Sequence, residues 1–151
     1  MAHPNAMVIS SGTSDCYVLT VDRFAGAAKP PHLTCLTPFE GWTDFYNDTV
    51  MRGGIPEPHL WQWIGFKSTR GLTRCEDWAA MCEKYPTWNQ YWEDRKCKLE
   101  NIDVPLFVVA SWNSSLHTGG TFHGWTGVSS KKKWLRVHNS NEWPGKLDNK
   151  S

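Results

Sequence analysis

The chain has 151 residues, which is enough for one domain with a substantial core. Its 16 basic and 15 acidic residues leave a net charge of +1, so the charge favours neither nucleic acid nor an anionic membrane surface as a partner. The longest apolar run, Val104–Ala110, is too short to cross a bilayer. Composition therefore indicates a globular protein with no membrane association.

The cysteines number five, and no two of them form a C-x-x-C pair. An odd, scattered set argues against a disulfide framework or a zinc ribbon. We therefore interpret them as reduced residues of an intracellular protein, with the cytoplasm favoured. His117 and His123 could suggest a metal pair, but no Cys or carboxylate partner has suitable spacing, so we predict no metal and no cofactor.

The first 41 residues show a strand–helix–strand pattern. Ala6–Ser10 is a short apolar run that predicts a buried strand, and Ser11–Ser14 has turn residues. Asp15–Ala28 has apolar residues at helical spacing, and Leu33–Leu36 predicts a second strand that ends before Pro38. This order is typical of the parallel unit of an α/β sheet.

The middle of the chain has a different pattern, which predicts a mostly helical insertion over about residues 42–100. A capping box that begins at Thr73 predicts a helix through Glu83. A second one that begins at Thr87 predicts a helix through about Lys98.

Sheet character returns in the last third of the chain. Val104–Ala110 is apolar throughout, as parallel strands buried on both faces are. A helix over Thr118–Gly127 and a last strand over Trp134–His138 follow. The predicted fold class is α/β, with parallel strands and crossover helices that are interrupted by the helical insertion.

Ten tryptophans are the oddity of the composition, and six of them lie between positions 42 and 92. They can serve as large packing residues between elements. Alternatively, Trp42, Trp61 and Trp63 line a pocket for an organic ligand, because such pockets are rich in aromatic side chains.

Ser14 is the candidate nucleophile. It follows a predicted strand and Gly12-Thr13, and it precedes a predicted helix, so its hydroxyl would lie at the carboxyl end of the strand. The backbone N–H of Asp15 would face the same side and could stabilise an oxyanion. The match to the G-x-S-x-G elbow is partial because Cys16 replaces the second glycine. Ser14 could instead only cap the helix.

Several motifs occur in an order that is specific to one family. They are Ser11-Gly12-Thr13-Ser14, Pro30-Pro31-His32-Leu33, Pro38-Phe39-Glu40-Gly41-Trp42-x-Asp44-x-Tyr46, Gly53-Gly54-Ile55-Pro56, Tyr91-Trp92-Glu93, Ile102-Asp103-Val104-Pro105 and Lys133-Trp134-Leu135-Arg136-Val137-His138. Across nearly the whole chain they resemble the cocaine esterase / Xaa-Pro dipeptidyl-peptidase-like serine hydrolases (the CocE/NonD group), particularly their fungal members.

The resemblance implies an α/β-hydrolase core over residues 1–41 and 101–151, with a helical cap over 42–100. It also implies hydrolysis of ester, amide or proline-linked peptide bonds in a small acyl or peptide substrate, through a Ser–His–acid triad. In that mechanism Ser14 is the nucleophile and the N–H of Asp15 is an oxyanion donor. The tryptophans of the cap would shape the acyl pocket.

The sequence departs from the family where the acid and the histidine belong. The acid is expected after the strand Val104–Ala110, at Asn113 or Ser114, but residues 111–114 contain no carboxylate. The histidine position corresponds to Asn141 or Glu142, so His138, a few residues earlier, is our candidate base and His117 is the alternative.

The motifs begin at the nucleophile strand, and the family's earlier strands and C-terminal β-sandwich have no counterpart in the sequence. We therefore expect a truncated hydrolase of impaired activity. The alternative is a catalytically inactive fragment or an aromatic-pocket binding module. The basic and aromatic residues around Lys131–Lys133 are interpreted as a solvated turn, not as a nucleic-acid site.

Overall fold

The computed structural model describes residues 6–9, 26–67 and 76–140. These residues belong to two compact units. The sheet unit lies within Met1–Thr43 and Cys97–Ser151, and the helical unit is Asp44–Lys96. The division into a core over 1–41 and 101–151 and a cap over 42–100 stays a prediction.

The sheet unit is built on four strands, which are β1 (Ala6–Ile9), β2 (Leu33–Thr37), β3 (Leu106–Ser111) and β4 (Lys133–His138). They form one sheet in the order β1-β2-β3-β4, and every neighbouring pair is parallel. All four strands were expected from their apolar runs. The predicted α/β fold class with parallel strands is confirmed.

The register of the sheet brings the carboxyl ends of the strands to one edge. Ile9 pairs with Thr37, and Phe39, just beyond β2, bridges to Val109 of β3. The β3–β4 pairing continues without a shift to Ser111 and His138. Because parallel strands end on the same side, the residues that follow β2, β3 and β4 are neighbours there.

One helix of the sheet unit, α4 (Thr118–Gly127), has the bounds that the sequence predicts. The core of the unit contains Leu36, Cys97, Ile102, Leu106, Val108 and Val128, with Trp125 and Leu135 among the partly buried side chains packed against it. β3 is apolar from Leu106 to Ala110, and every residue of the strand except Phe107 is buried.

Three helices form the frame of the helical unit: α1 (Pro58–Lys67), α2 (Trp78–Lys84) and α3 (Gln90–Glu93). A short π-helix over Tyr46–Val50 and a 3₁₀ helix over Arg52–Gly54 precede α1. The core of this unit is aromatic. The ring of Phe45 lies 4.8 Å from Trp61 and 4.8 Å from Trp78, and Trp92 is fully buried.

Both capping-box predictions were wrong about where the helices begin. The side chain of Asp77 accepts a hydrogen bond from the Ala80 N–H (3.0 Å), so α2 begins at Trp78. The side chain of Asn89 accepts from the Tyr91 N–H (2.9 Å), so α3 begins at Gln90 and ends at Glu93, well before Lys98. Asp and Asn are as effective as Thr at this position, and each lies directly before its helix.

The predicted turn Ser11–Ser14 and most of the predicted helix Asp15–Ala28 lie outside the described residues. Within the described part of the chain, no helix has both the length and the apolar character needed to cross a membrane.

Candidate active site at the carboxyl edge of the sheet

Glu40 is a fully buried carboxyl group at the carboxyl end of β2. Its backbone N–H donates to the carbonyl oxygen of Val109 (2.9 Å), which places the residue over the end of β3. Its Oε1 accepts a hydrogen bond from the backbone N–H of Ser111. A charged group without water needs such donors, because burial disfavours its ionised form.

The backbone of Glu40 has a φ of +61°, in the left-handed region that glycine favours. A non-glycine residue held there costs about 1–3 kcal/mol, and such residues concentrate at functional sites. The next residue is Gly41, with a φ of 137°. A glutamate is therefore held where glycine would be less strained, which suggests that its side chain is needed.

His138 is the last residue of β4, and its side chain is 9% exposed. Its Nε2 lies 4.0 Å from Oε1 of Glu40. That separation is longer than a hydrogen bond but within reach of an ion pair when the imidazole is protonated. Among the described residues, neither ring nitrogen of His138 has a hydrogen-bond partner. The carbonyl oxygen of His138 accepts from the Trp112 N–H (2.7 Å), which anchors the end of the strand.

The turn after β3 occupies the place where the family resemblance puts the acid. Here Ser111 Oγ donates to the carbonyl oxygen of Ser140 (2.6 Å), and Asn113 Nδ2 donates to the carbonyl oxygen of Asn139. The Asn113 N–H donates to Ser111 Oγ (3.1 Å). The neutral side chains at this turn therefore hold the loop that follows His138.

His117, the alternative base, lies directly before α4 and is buried. Its ring centroid lies 5.1 Å from that of Trp42, and Trp42 Nε1 donates to the carbonyl oxygen of Leu116 (3.1 Å). The structure thus places His117 against an aromatic ring, whereas it places His138 beside a carboxylate. No cluster of three or more potential metal ligands occurs within residues 6–9, 26–67 and 76–140.

The three tryptophans proposed for the pocket differ in exposure. Trp42, in the sheet unit, is 3% exposed, and Trp61, in the helical unit, is 2% exposed. Trp63 is 56% exposed, so it alone of the three presents most of its ring to solvent. The packing role is clear for Trp61, which contacts the rings of Phe45 and Trp78. The pocket assignment of the three residues stays a prediction.

The proposed nucleophile Ser14 and the oxyanion donor Asp15 lie outside the described residues. β1 ends at Ile9, five positions before Ser14, on the edge where Glu40 and His138 lie.

The fold is shared with two crystal structures of a CocE/NonD family hydrolase from Staphylococcus aureus. The TM-scores are 0.76 and 0.74, at 31% and 29% sequence identity. This chain carries part of a CocE/NonD hydrolase fold. Both matches cover 84% of this chain and 24% of the other, so the chain spans about a quarter of the length of that hydrolase.

The CocE/NonD resemblance inferred from the ordered motifs is thereby confirmed, while the likeness to fungal members stays a prediction. No protein-family model matches the chain, and no curated protein sequence matches it.

Glu40 is the site residue that sequence reasoning missed. It stands in one of the family-like motifs, but the resemblance places the acid in the turn after β3 and so does not predict Glu40. Its signal was a Glu-Gly pair four residues after the predicted strand Leu33–Leu36, near the end of the sheet at which parallel strands place functional groups.

Proposed function

We propose that the chain performs serine hydrolase chemistry on ester, amide or Xaa-Pro peptide bonds, through an acyl-enzyme on Ser14. The observation that carries the proposal is the buried imidazole of His138 at the carboxyl edge of a CocE/NonD-type parallel sheet. Catalytic groups of open α/β sheets gather at this edge. The solved relative is itself described as a hydrolase.

The proposed reaction has two halves. Ser14 Oγ attacks the carbonyl carbon of the substrate while His138 takes the hydroxyl proton, and the N–H of Asp15 donates to the oxyanion. The tetrahedral intermediate then releases an alcohol or amine, which receives the proton from His138. In the second half water attacks the acyl-enzyme, gives its proton to His138 and releases the acid, and the proton returns to Ser14.

The competing proposal is a binding module without turnover. It is favoured by the neutral side chains of Asn113 and Ser114, the two positions at which the resemblance places the acid. Such a module would hold an acyl or peptide ligand without reacting with it.

The two proposals are distinguished by labelling the folded chain with a fluorophosphonate, which reacts with activated serines. We expect labelling of the native chain, loss of labelling in Ser14→Ala, and unchanged labelling in the control Ser11→Ala. Circular dichroism verifies the fold of each variant. A folded chain that is not labelled, or is labelled equally after Ser14→Ala, would contradict the hydrolase proposal and favour the binding module.

The pocket part of the proposal is tested by comparing Trp63→Ala with Trp134→Ala. Both residues are 56% exposed, so the two substitutions remove the same ring at the same degree of exposure. We expect Trp63→Ala alone to raise KM for an aromatic p-nitrophenyl ester by about threefold to tenfold, the loss of one aromatic contact. Equal KM values in the two variants would contradict the assignment of Trp63 to the pocket.

A further inference from the structure

We infer that Glu40 orients the imidazole of His138, and so performs from the end of β2 the role that an acid after β3 has in related hydrolases. The inference rests on the proposed function, because His138 acts there as the base. Glu40 is a positioning residue: it acts through His138 and does not touch the substrate.

The first support is the position of the carboxylate. Oε1 of Glu40 lies 4.0 Å from Nε2 of His138, and both side chains are almost entirely out of water. A negative charge held close to an imidazole in a dry site stabilises the imidazolium that forms when the base takes a proton. It also favours the tautomer that has its proton on the nearer nitrogen.

The second support is the way the sheet holds the two residues. The N–H of Glu40 is bonded to Val109 and its carboxylate to the N–H of Ser111, so the residue is held at both ends by β3. Ser111 is the strand partner of His138. β3 therefore contacts both the acid, three residues beyond the end of β2, and the histidine at the end of β4.

The third support is that Asn113, one of the two positions at which the resemblance expects the acid, makes a different contact here. Ser111 and Asn113 hold the carbonyl oxygens of Ser140 and Asn139. A carboxylate at Asn113 could not donate to the Asn139 carbonyl, so the loop after His138 would lose a hydrogen bond. In this chain Asn113 therefore holds the loop, and the carboxylate beside His138 comes from Glu40.

The proton inventory follows from this arrangement. In the resting state the proton of neutral His138 is on Nε2, which faces Glu40, and Nδ1 is the acceptor for the Ser14 proton. When Nδ1 takes that proton the ring becomes positive, and Glu40 remains ionised throughout. No proton passes to Glu40.

The unmodified chain provides the first test. Two-dimensional ¹⁵N–¹H NMR of ¹⁵N-histidine protein reports which ring nitrogen has the proton, and His138→Gln identifies the signal. We expect a single His138 tautomer with the proton on Nε2. A proton on Nδ1, or rapid averaging of the two tautomers, would overturn the inference without any reference to activity.

The second test is Glu40→Gln, with Glu100→Gln as the control because Glu100 is an exposed side chain of the same unit. We expect Glu40→Gln to slow Ser14-dependent labelling by about 10³-fold or more, by comparison with the acid-to-amide change in a serine protease triad. We also expect it to produce a mixture of His138 tautomers. Glu100→Gln is expected to change neither quantity.

The two proposals fail in different ways. If the native chain is labelled at Ser14 and folded Glu40→Gln is labelled equally fast, Glu40 has no such role and the hydrolase proposal stands. If the native chain is not labelled while the Nε2 tautomer is present and depends on Glu40, the pairing is right and the hydrolase proposal is wrong. If Glu40→Gln does not fold, the tautomer of the native chain decides.

Discussion

The two units of the molecule differ in how far apart in the sequence their polar side chains find hydrogen-bond partners. In the helical unit Thr49 Oγ1 donates to the carbonyl oxygen of Phe45 (2.6 Å), and Asp48 Oδ2 accepts from the Asp44 N–H (2.9 Å). Both contacts join residues four positions apart. Such bonds complete a helical turn and require nothing beyond local structure.

In the sheet unit the corresponding bonds join residues that are far apart in the sequence. Glu40 accepts from Ser111, 71 positions away, and Ser111 donates to Ser140, 29 positions away. Bringing distant polar groups together in a dry place is costly unless every partner is correctly placed. The comparison teaches that long-range buried polar contacts at strand ends identify the candidate site, whereas local ones stabilise the scaffold.

The largest effect that tests this comparison is expected in the aromatic core of the helical unit. Trp92 is fully buried, and its Nε1 donates to the carbonyl oxygen of Tyr85 (2.8 Å). We expect Trp92→Ala to lower the free energy of unfolding by about 3–5 kcal/mol in urea titrations, because it leaves a large cavity. Trp88→Ala, at a residue that is 39% exposed, is the control and should lose less than half as much. Equal losses would show that burial does not determine the stability of this unit.

The next effect is a difference in alkylation rate between one cysteine of each unit. Burial raises the pKa of the Cys82 thiol in α2 to about 11, from 9.0, whereas Cys35 in β2 is only half-buried. Because the thiolate is the reactive form, we expect iodoacetamide at pH 8 to modify Cys82 about 100-fold more slowly than an ordinary thiol. Peptide mass spectrometry should find Cys35 modified first. In urea the two should react alike, and equal rates in the native chain would contradict the burial of Cys82.

A smaller effect is expected at the turn after β3. Ser111→Ala removes the part-buried bond to Ser140 and leaves the Ser140 carbonyl oxygen and the Asn113 N–H without this partner. We expect a loss of about 1–3 kcal/mol in the free energy of unfolding. Ser129→Ala, at an exposed position of the same unit, should stay within about 0.5 kcal/mol of the native value. A neutral Ser111→Ala would mean that the long-range bonds of the sheet unit contribute no more than local ones.

The smallest effect concerns an ion pair at the surface of the helical unit. Partial burial raises the pKa of the Glu76 carboxyl, but hydrogen bonds from Arg95 and further partners outweigh it and leave this pKa below its usual value of 4.5. Arg95 Nη2 lies 2.8 Å from Glu76 Oε1. Both side chains are about one-third exposed, so solvent screening limits the pair to less than about 1 kcal/mol.

Because the pKa of Glu76 is lowered on folding, its contribution is fully present above its unfolded pKa and is lost as the pH falls through the folded value. We expect Glu76→Gln to reduce the loss of stability between pH 5 and about pH 3 in urea titrations at several pH values. Glu93→Gln, at an exposed residue of α3, is the control. An unchanged pH dependence after Glu76→Gln would show that the pair is fully screened.

Much of the sheet could be predicted because its strands are short segments rich in apolar residues and bounded by turn residues. Helix starts were less predictable, because Thr, Asp and Asn can all act as N-caps and the sequence around α2 and α3 offers several. In the structure the capping bonds come from Asp77 and Asn89, each directly before its helix.

The candidate site was predictable only in part. His138 was found as the nearest imidazole to the expected place, but its partner was sought after β3, where the turn contains Ser111 and Asn113. Glu40 lies nearly 100 positions before His138 in the sequence, and no local pattern connects the two. Their proximity requires the parallel pairing of β2 with β3 and of β3 with β4.

The sequence by itself determined the α/β class with parallel strands and the CocE/NonD resemblance, because apolar segments and ordered motifs are properties of neighbouring residues. Only the tertiary structure decided which carboxylate accompanies which histidine. A strand register moves whole side chains between faces and sets which distant residues meet at the sheet edge. In this protein it places Glu40 beside His138, and it brings Asn113, after β3, within hydrogen-bond distance of the loop that follows His138.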